Sequence, residues 1–342
     1  MRLARWGAAL CATLLCLVAF AGVPEAPVDG AKVTKILVPD LVASAARYGD
    51  FDELERLYGI YGKAGVRSEL TGTPRVQHFW MGVEQIMDSD LNVSEAYFIQ
   101  LDALTRSWAE AHPKSVAAQL LYAKSLMAHA WFFRGTGFAN TVSPASWEAF
   151  RRYLKLAEAQ LRGNEALAAH DSSWNKLMID IGRGLGWDLS RLAALFEQGI
   201  EKNPDNDGLY FVMQMSLLPR WGGSIEATER YIAAVTQQTR AKRGMEMYAQ
   251  LYADLSRSEV EQSLFTATHA SWAKMKQGFE DWLSRYPHSD QRNSYAYFAC
   301  MAQDRETLRA QLSLIGDAYE RNFWGHSPAR TFEECKAMAH RL

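Results

Sequence analysis

Two carboxylates set among tryptophans are the residues of this sequence whose type and spacing are best suited to chemistry. Asp171 is followed closely by Trp174, and Asp188 comes directly after Trp187. Helical enzymes that hydrolyse glycans place two acids several ångströms apart across the scissile bond. In a competing interpretation, both aspartates are helix N-caps and the tryptophans fill gaps between packed helices. We favour the caps and predict no catalytic residue.

Other catalytic and cofactor motifs fail on spacing. No Gly-x-Ser-x-Gly elbow occurs, and the stretch from Gly59 to Lys63 is too short for a phosphate-binding loop. The alternate glycines of 182–186 follow no strand pattern, which argues against a dinucleotide motif. The eight histidines form no His-Glu-x-x-His pattern, and a lone helical histidine such as His129 is usually a hydrogen-bonded core residue. We therefore predict no metal and no cofactor.

Two arginines are unusual, because Arg134 and Arg220 each follow a very apolar helix and precede a turn that contains glycine. In one interpretation their guanidinium groups bind free carbonyl oxygens at helix C-termini, or bind buried acids. In the other, both lie in one concave pocket that recognises a carboxylate or phosphate group. We favour the structural role. If the chain has a binding face, we expect it to include Arg134, Trp187, Arg220 and Trp221.

The elements that must position these side chains all have the pattern of helices. Capping boxes at Asp50–Glu53 and Ser258–Glu261 predict helix starts. Pro219 ends a strongly apolar helix, Gly222–Gly223 allows a sharp reversal, and Ser224 caps the helix that follows. No segment alternates apolar and polar residues as a strand does. The sequence therefore predicts an all-α fold.

A degenerate repeat is visible in the helical pattern. In the tetratricopeptide pattern an aromatic residue lies eight positions before a proline, with a small residue three after the aromatic. Phe196, Gly199 and Pro204 satisfy both conditions, whereas Phe279 and Pro287 satisfy only the first. The intervals between such prolines are long and unequal. We therefore predict an irregular stack of antiparallel helical hairpins, a tetratricopeptide-like α-solenoid.

The start of the chain predicts export. Residues 1–21 combine two early arginines, an apolar run and a small-x-small site, which predicts a signal peptide cleaved near Ala21 and a secreted or periplasmic bacterial protein. Residues 22–38 are predicted as a tether. A helical-repeat domain follows at 39–257, and further hairpins at 258–342 continue the stack. After cleavage, the chain has no second apolar run long enough to predict a membrane span.

Charge and cysteine content limit the partners and the compartment. The formal net charge of −2 argues against a nucleic-acid partner. Cys300 and Cys335 are the two cysteines that remain after removal of the leader. An oxidising compartment permits a disulfide between them, and two separate buried thiols are an equally good interpretation.

Three segments resemble a known family: Trp108–Ala139, which contains AWFFRGTGFA, Asp171–Asp188, and Leu217–Ser224, which reads LLPRWGGS. They are similar to a bacterial family catalogued as domain of unknown function 4034, over roughly residues 95–255. LLPRWGGS is the most specific part. The resemblance implies a helical, tetratricopeptide-like architecture and no established activity.

The sequence thus favours a binding protein over an enzyme. We expect an exported helical-repeat scaffold that binds a protein or peptide on a concave face. The alternative is a glycan-binding or glycan-hydrolysing helical protein that uses tryptophan platforms with Asp171 or Asp188.

Overall fold

The computed structural model describes residues 30–87, 94–135, 137–316 and 319–340. The predicted signal peptide at 1–21 and the first part of the predicted tether lie outside these ranges. The described residues form helices and no β-sheet, which confirms the all-α prediction. Within them, no helix combines the length and apolar character needed to cross a bilayer. In chain order the α-helices are α1 (Gly30–Tyr48), α2 (Phe51–Tyr61), α3 (Arg75–Glu84), α4 (Glu95–Ala111), α5 (Val116–Arg134), α6 (Pro144–Gly163), α7 (Glu165–Ala168), α8 (Ser172–Gly184), α9 (Leu189–Lys202), α10 (Asp207–Ser216), α11 (Ile225–Arg243), α12 (Glu246–Leu255), α13 (Leu264–Ala267), α14 (Trp272–Arg285), α15 (Ser289–Met301), α16 (Arg305–Ile315) and α17 (Pro328–His340).

Several helices begin at the predicted caps. The Asp50 carboxylate accepts a hydrogen bond from the backbone N–H of Glu53 at 3.1 Å, and α2 starts there. Ser224 Oγ accepts from the N–H of Ala227 at 3.1 Å, and α11 starts there. Each cap satisfies one of the backbone donors that a helix start leaves free.

The first helix starts earlier than the sequence predicts. α1 begins at Gly30 and continues through Pro39, so residues 30–38, assigned above to the tether, are helical. A proline inside a helix removes one backbone hydrogen bond. Packing accounts for the continuation, because α1 lies against α3 so closely that a side chain at Gly82 would strike the carbonyl of Pro39.

The predicted capping box at Ser258–Glu261 is wrong, because this segment ends a helix instead of starting one. Residues Ser256–Val260 form a π-helical turn that continues α12. The backbone N–H of Glu261 donates to the carbonyl of Ser256, and Ser256 Oγ donates to the carbonyl of Glu261 at 2.7 Å. These two bonds close the turn, so Ser258 caps no helix.

The helices pack mainly on their neighbours in the chain. α4 contacts α5 and α5 contacts α6, and each helix again contacts the next from α8 to α12 and from α14 to α17. Buried apolar residues form three clusters, supplied by α1 to α5, by α5 to α8, and by α8 to α17. The last cluster crosses the predicted domain boundary at 257–258 without a break. The tetratricopeptide-like solenoid stays a prediction.

A buried ion cluster, formed by Arg67, Asp207, Arg243, Glu246 and Arg285, ties the N-terminal helices to the C-terminal half. Arg67, in the loop before α3, and Arg243, at the end of α11, each approach the Asp207 carboxylate to 2.7 Å. Glu246 pairs with Arg243 and with Arg285. Burial alone would raise the pKa of Asp207, but Arg243 and Arg67 outweigh burial and lower it. The carboxylate therefore stays ionised at neutral pH.

The two cysteines whose pairing the sequence left undecided form a disulfide. Cys300, near the end of α15, and Cys335, in α17, form a disulfide with their Cα atoms 5.6 Å apart. The bond fixes α17 to α15, and the Arg309 guanidinium of α16 adds a hydrogen bond to the carbonyl of Ala339 at 3.1 Å. The last three helices are thereby joined to one another.

Candidate functional site

Two of the four residues assigned to a binding face meet through a tryptophan that the sequence did not single out. The Trp131 ring lies edge-on to Trp221 at 6.0 Å between centroids, and the Arg134 guanidinium lies 5.8 Å from the centre of Trp131. Arg134 also lies over Trp147 at 5.6 Å and donates to the carbonyls of Gly135 and Gly137. It therefore binds carbonyl oxygens of the turn that follows α5, while it stacks on two indole rings.

Arg220 lies beside this group with few restraints. Its side chain is 46% exposed, 3.5 Å from the carboxylate of Glu259 and 3.5 Å from Met215 Sδ. The neighbouring Gly222 has φ of 85°, and a side chain on Gly223 would strike the backbone of Leu217. The two glycines are thus required by the turn itself, whereas the arginine head group is available to a ligand.

Trp187 belongs to a different set of contacts. Its ring lies under the guanidinium of Arg191 at 3.1 Å and near that of Arg162 at 5.7 Å. The ring also covers Gly182 on α8, where no larger residue would fit. Among the ring contacts of the described residues, none joins Trp187 to Arg134, Arg220 or Trp221. Trp187 therefore acts in helix packing, apart from the other three.

Charged side chains of α8, α5 and α3 form a row that begins beside Trp221. The Arg183 guanidinium lies 5.1 Å from the centre of the Trp221 ring and 2.6 Å from the Asp180 carboxylate. Lys176 approaches the same carboxylate to 3.3 Å. Beyond it, Lys124 of α5 pairs with Glu84 of α3 at 3.0 Å. We call this row, together with Trp131 and Trp221, the charged groove; the exposed fraction of its charged side chains rises from 9% at Lys124 and 10% at Arg183 to 53% at Glu84.

The acids of the charged groove remain ionised. Burial would raise the pKa of Asp180, but the positive charges of Lys176 and Arg183 outweigh burial, and the pKa of Asp180 is lowered. Burial likewise opposes ionisation of Glu84, yet Lys124 and Lys176 lower its pKa. Both signs of charge therefore persist along the groove at neutral pH.

An apolar cavity of about 530 Å³ opens at the α3 end of the charged groove. Its walls include Met81, Met87, Met127 and Trp131, and the Glu84–Lys124 pair lies at its edge. Methionine side chains adapt to irregular apolar partners because they are unbranched and polarisable. The cavity is large enough for an apolar side chain of a ligand, with charged groups alongside for hydrogen bonds.

The two candidate catalytic aspartates lie apart. Asp171 is the N-cap of α8, where it accepts from the N–H of Ser173 at 2.8 Å and from the Tyr58 hydroxyl. Asp188 is exposed beyond the other end of α8, at the start of α9. A helix of that length separates them by about 20 Å at 1.5 Å per residue. Paired glycosidase carboxylates lie within about 10 Å, so these two do not form such a pair.

His129, a polar residue outside the charged groove, has a structural partner. His129 is fully buried, and its Nδ1 lies 2.6 Å from the Asp102 carboxylate, as expected of a hydrogen-bonded core histidine. Across the part of the chain that the structure describes, no three His, Cys, Asp or Glu side chains are grouped so that they could hold a metal ion.

The sequence contained a signal for the charged row that we did not use. Lys176, Asp180 and Arg183 are spaced i, i+4 and i+7, so they lie on one face of α8. The rest of that helix is largely buried, so the face stands out. Lys124 likewise lies in the middle of the apolar α5, whose other charged residue, Arg134, is at its end.

Comparison of the chain with protein-family models, with curated proteins and with solved structures returned no match. The resemblance to the family of domain of unknown function 4034 therefore stays a prediction.

Proposed function

We propose that this chain is an exported scaffold that binds an extended peptide, or an exposed segment of a partner protein, along the charged groove. The observation that carries the proposal is the methionine-lined cavity beside a continuous row of paired charges. Peptide-binding grooves combine a pocket for one apolar anchor with polar groups that bind the peptide backbone.

The groove supplies each of these contacts from rigid helices. The cavity bounded by Met81 and Met127 would hold the anchor side chain. Lys124 and Glu84 at its edge offer a donor and an acceptor to the carbonyl and N–H groups of the peptide. Arg183 and Arg220 extend the positive charge past Trp221, which favours an acidic residue further along the ligand.

Export is part of the proposal, and the disulfide supports it. Structural disulfides persist in oxidising compartments and are rare in the cytosol. The Cys300–Cys335 bond in the helical domain therefore agrees with the leader pattern at the start of the sequence.

The glycan alternative has weaker support. Sugars stack on exposed faces of indole rings, but Arg134 lies over Trp131 and Trp147, and Arg183 lies over Trp221. A glycan would have to displace both arginines. The separation of Asp171 from Asp188 also removes a paired-acid mechanism.

The test is selection of peptides from a displayed random library on residues 22–342, followed by fluorescence anisotropy with the selected peptides. Met81→Glu places a charge in the wall of the cavity at a side chain that is 42% exposed, so folding should be retained. We expect it to weaken binding by about tenfold or more, since a charge replaces an apolar contact.

The matched control is Leu314→Glu on α16, where the side chain is 61% exposed and lies outside the groove. It should leave affinity unchanged. Peptides that bind wild type and Met81→Glu equally would place recognition elsewhere and overturn the proposal. Failure to select any peptide, with a shift of tryptophan emission on titration with cell-wall fragments, would favour the glycan alternative.

A further inference from the structure

A second cavity, distinct from the charged groove, lies where α12 ends. It measures about 380 Å³ and is enclosed by the turn after α12, by α15 and by the segment 322–331. Tyr297 and Phe298 of α15 are both buried and form its apolar side, together with Phe323. Ligand pockets of this size commonly have apolar walls and a few polar groups.

One of the two described non-glycine residues with positive φ lies at the mouth of this cavity. Glu261 has φ of 48° and ψ of −124°, a conformation that glycine adopts easily and other residues rarely adopt. It follows directly on the π-helical turn Ser256–Val260. Strained residues and π-helical turns both occur preferentially at functional sites. The Glu261 carboxylate, 62% exposed, meets His326 Nε2 at 3.1 Å across the mouth.

An arginine with spare hydrogen-bond donors faces the same cavity. Arg257 lies on the π-helical turn, four residues before Glu261, and its side chain is 46% exposed. Among the described residues, its ion-pair partner is Asp254 at 3.8 Å, which is beyond hydrogen-bond distance. The cavity thus carries a cation with free donors and an anion on one wall, opposite an aromatic surface.

We propose that this cavity binds a small zwitterion with an apolar body, namely a free amino acid or a short peptide. Its carboxylate would form a two-point contact with the Arg257 guanidinium, and its ammonium group would pair with Glu261 in place of His326. Its side chain would lie against Tyr297 and Phe298. The volume of about 380 Å³ suits a ligand of one or two residues.

The test is isothermal titration calorimetry of residues 22–342 with the twenty common L-amino acids and with Phe-Ala and Ala-Phe dipeptides. For the tightest ligand, two derivatives remove one charge each: the N-acetyl form removes the ammonium, and the C-terminal amide removes the carboxylate. We expect each derivative to bind about tenfold more weakly or worse, because each loses one charge-assisted contact.

Two variants test which protein side chain binds each charge of the ligand. Arg257→Gln should bind the zwitterion and its amide equally, and Glu261→Gln should bind the zwitterion and its N-acetyl form equally. Arg56→Gln removes an exposed arginine of α2 that does not line the cavity, and it should behave as wild type. Met81→Glu should also bind normally, which separates this site from the charged groove.

Three results would overturn the proposal. One is no heat change with any of these ligands at about 10 mM, a concentration that would detect even millimolar affinity. Another is equal affinity for the zwitterion and both derivatives. The last is a ligand whose affinity is unchanged in Arg257→Gln and Glu261→Gln, provided that circular dichroism finds both variants folded.

Discussion

Replacement of Asp207 by asparagine tests whether the buried ion cluster holds the two halves of the chain together. The substitution keeps the shape of the side chain but removes the negative charge that Arg67 and Arg243 share. Breaking a buried ion pair by removal of one partner costs about 3–5 kcal/mol. The lower figure applies, because Arg67 keeps hydrogen bonds to the carbonyls of Gly72 and Asp205, and Arg243 keeps Glu246.

That cost converts to a shift in the thermal midpoint. With an unfolding entropy of about 2.1 cal/mol/K per residue over roughly 300 residues, about 3 kcal/mol lowers the midpoint by about 5 °C. Circular dichroism melts at pH 7 measure it. Glu110→Gln removes one partner of an exposed pair, Arg106–Glu110, and should leave the midpoint unchanged.

The pH dependence of stability is an independent test of the role of the Asp207 charge. The pKa of Asp207 is lowered in the folded chain, so its stabilisation is fully present above the unfolded value of about 3.9 and is lost as pH falls through the folded value. The difference between wild type and Asp207→Asn should therefore be constant from pH 7 to about 5 and shrink below pH 4. A midpoint that falls no further than in Glu110→Gln, or a difference that grows on acidification, would refute the reasoning.

Three further predictions concern the turns and the disulfide. Cys335→Ser should lower the free energy of unfolding by about 3–4 kcal/mol in denaturant titrations, since the bond closes a span of 35 residues. Reduced wild type should match the variant. A smaller loss would mean that the helix ends are held by packing alone. Gly223→Ala should lower the free energy of unfolding by about 1–3 kcal/mol, because the added methyl group strikes the Leu217 backbone. At Gly163 a methyl group has free space, so Gly163→Ala should be neutral or stabilising. Equal effects of the two substitutions would contradict the steric argument. Glu261→Gly should raise the free energy of unfolding by about 1 kcal/mol or more in the same titrations, because it relieves the strained φ. It should also weaken zwitterion binding by about tenfold or more. A loss of stability would argue against stored strain.

The sequence predicted local features best. Asp50 and Ser224 cap the helices that their positions indicate, and Gly222 takes the positive φ expected in a double-glycine turn. These features depend on a few neighbouring residues, so their chemistry is readable without the fold. The all-α class follows from the same local patterns.

Contacts between distant residues were not predictable in this way. Arg67 meets Asp207 across 140 positions, and nothing near either residue indicates the other. The joining of Arg134 to Trp221 depends on Trp131, which looks like an ordinary core residue of an apolar helix. The Ser258–Glu261 error has a similar cause, because the pattern of a capping box is also compatible with a helix end when tertiary packing extends the preceding helix.

The ties between the loop before α3 and the distant helices also constrain how the chain folds. A ribosome releases the N-terminus first. Arg67, however, can bind Asp207 only after another 140 residues are made, and the Thr71 carbonyl can accept from the Gln291 amide only after another 220 residues. Most other helices find their partners next to them in sequence. Contacts of such long separation carry the largest loop-closure entropy and form late. We therefore expect early folding to be local and rapid, and closure of this loop to be the slow final step.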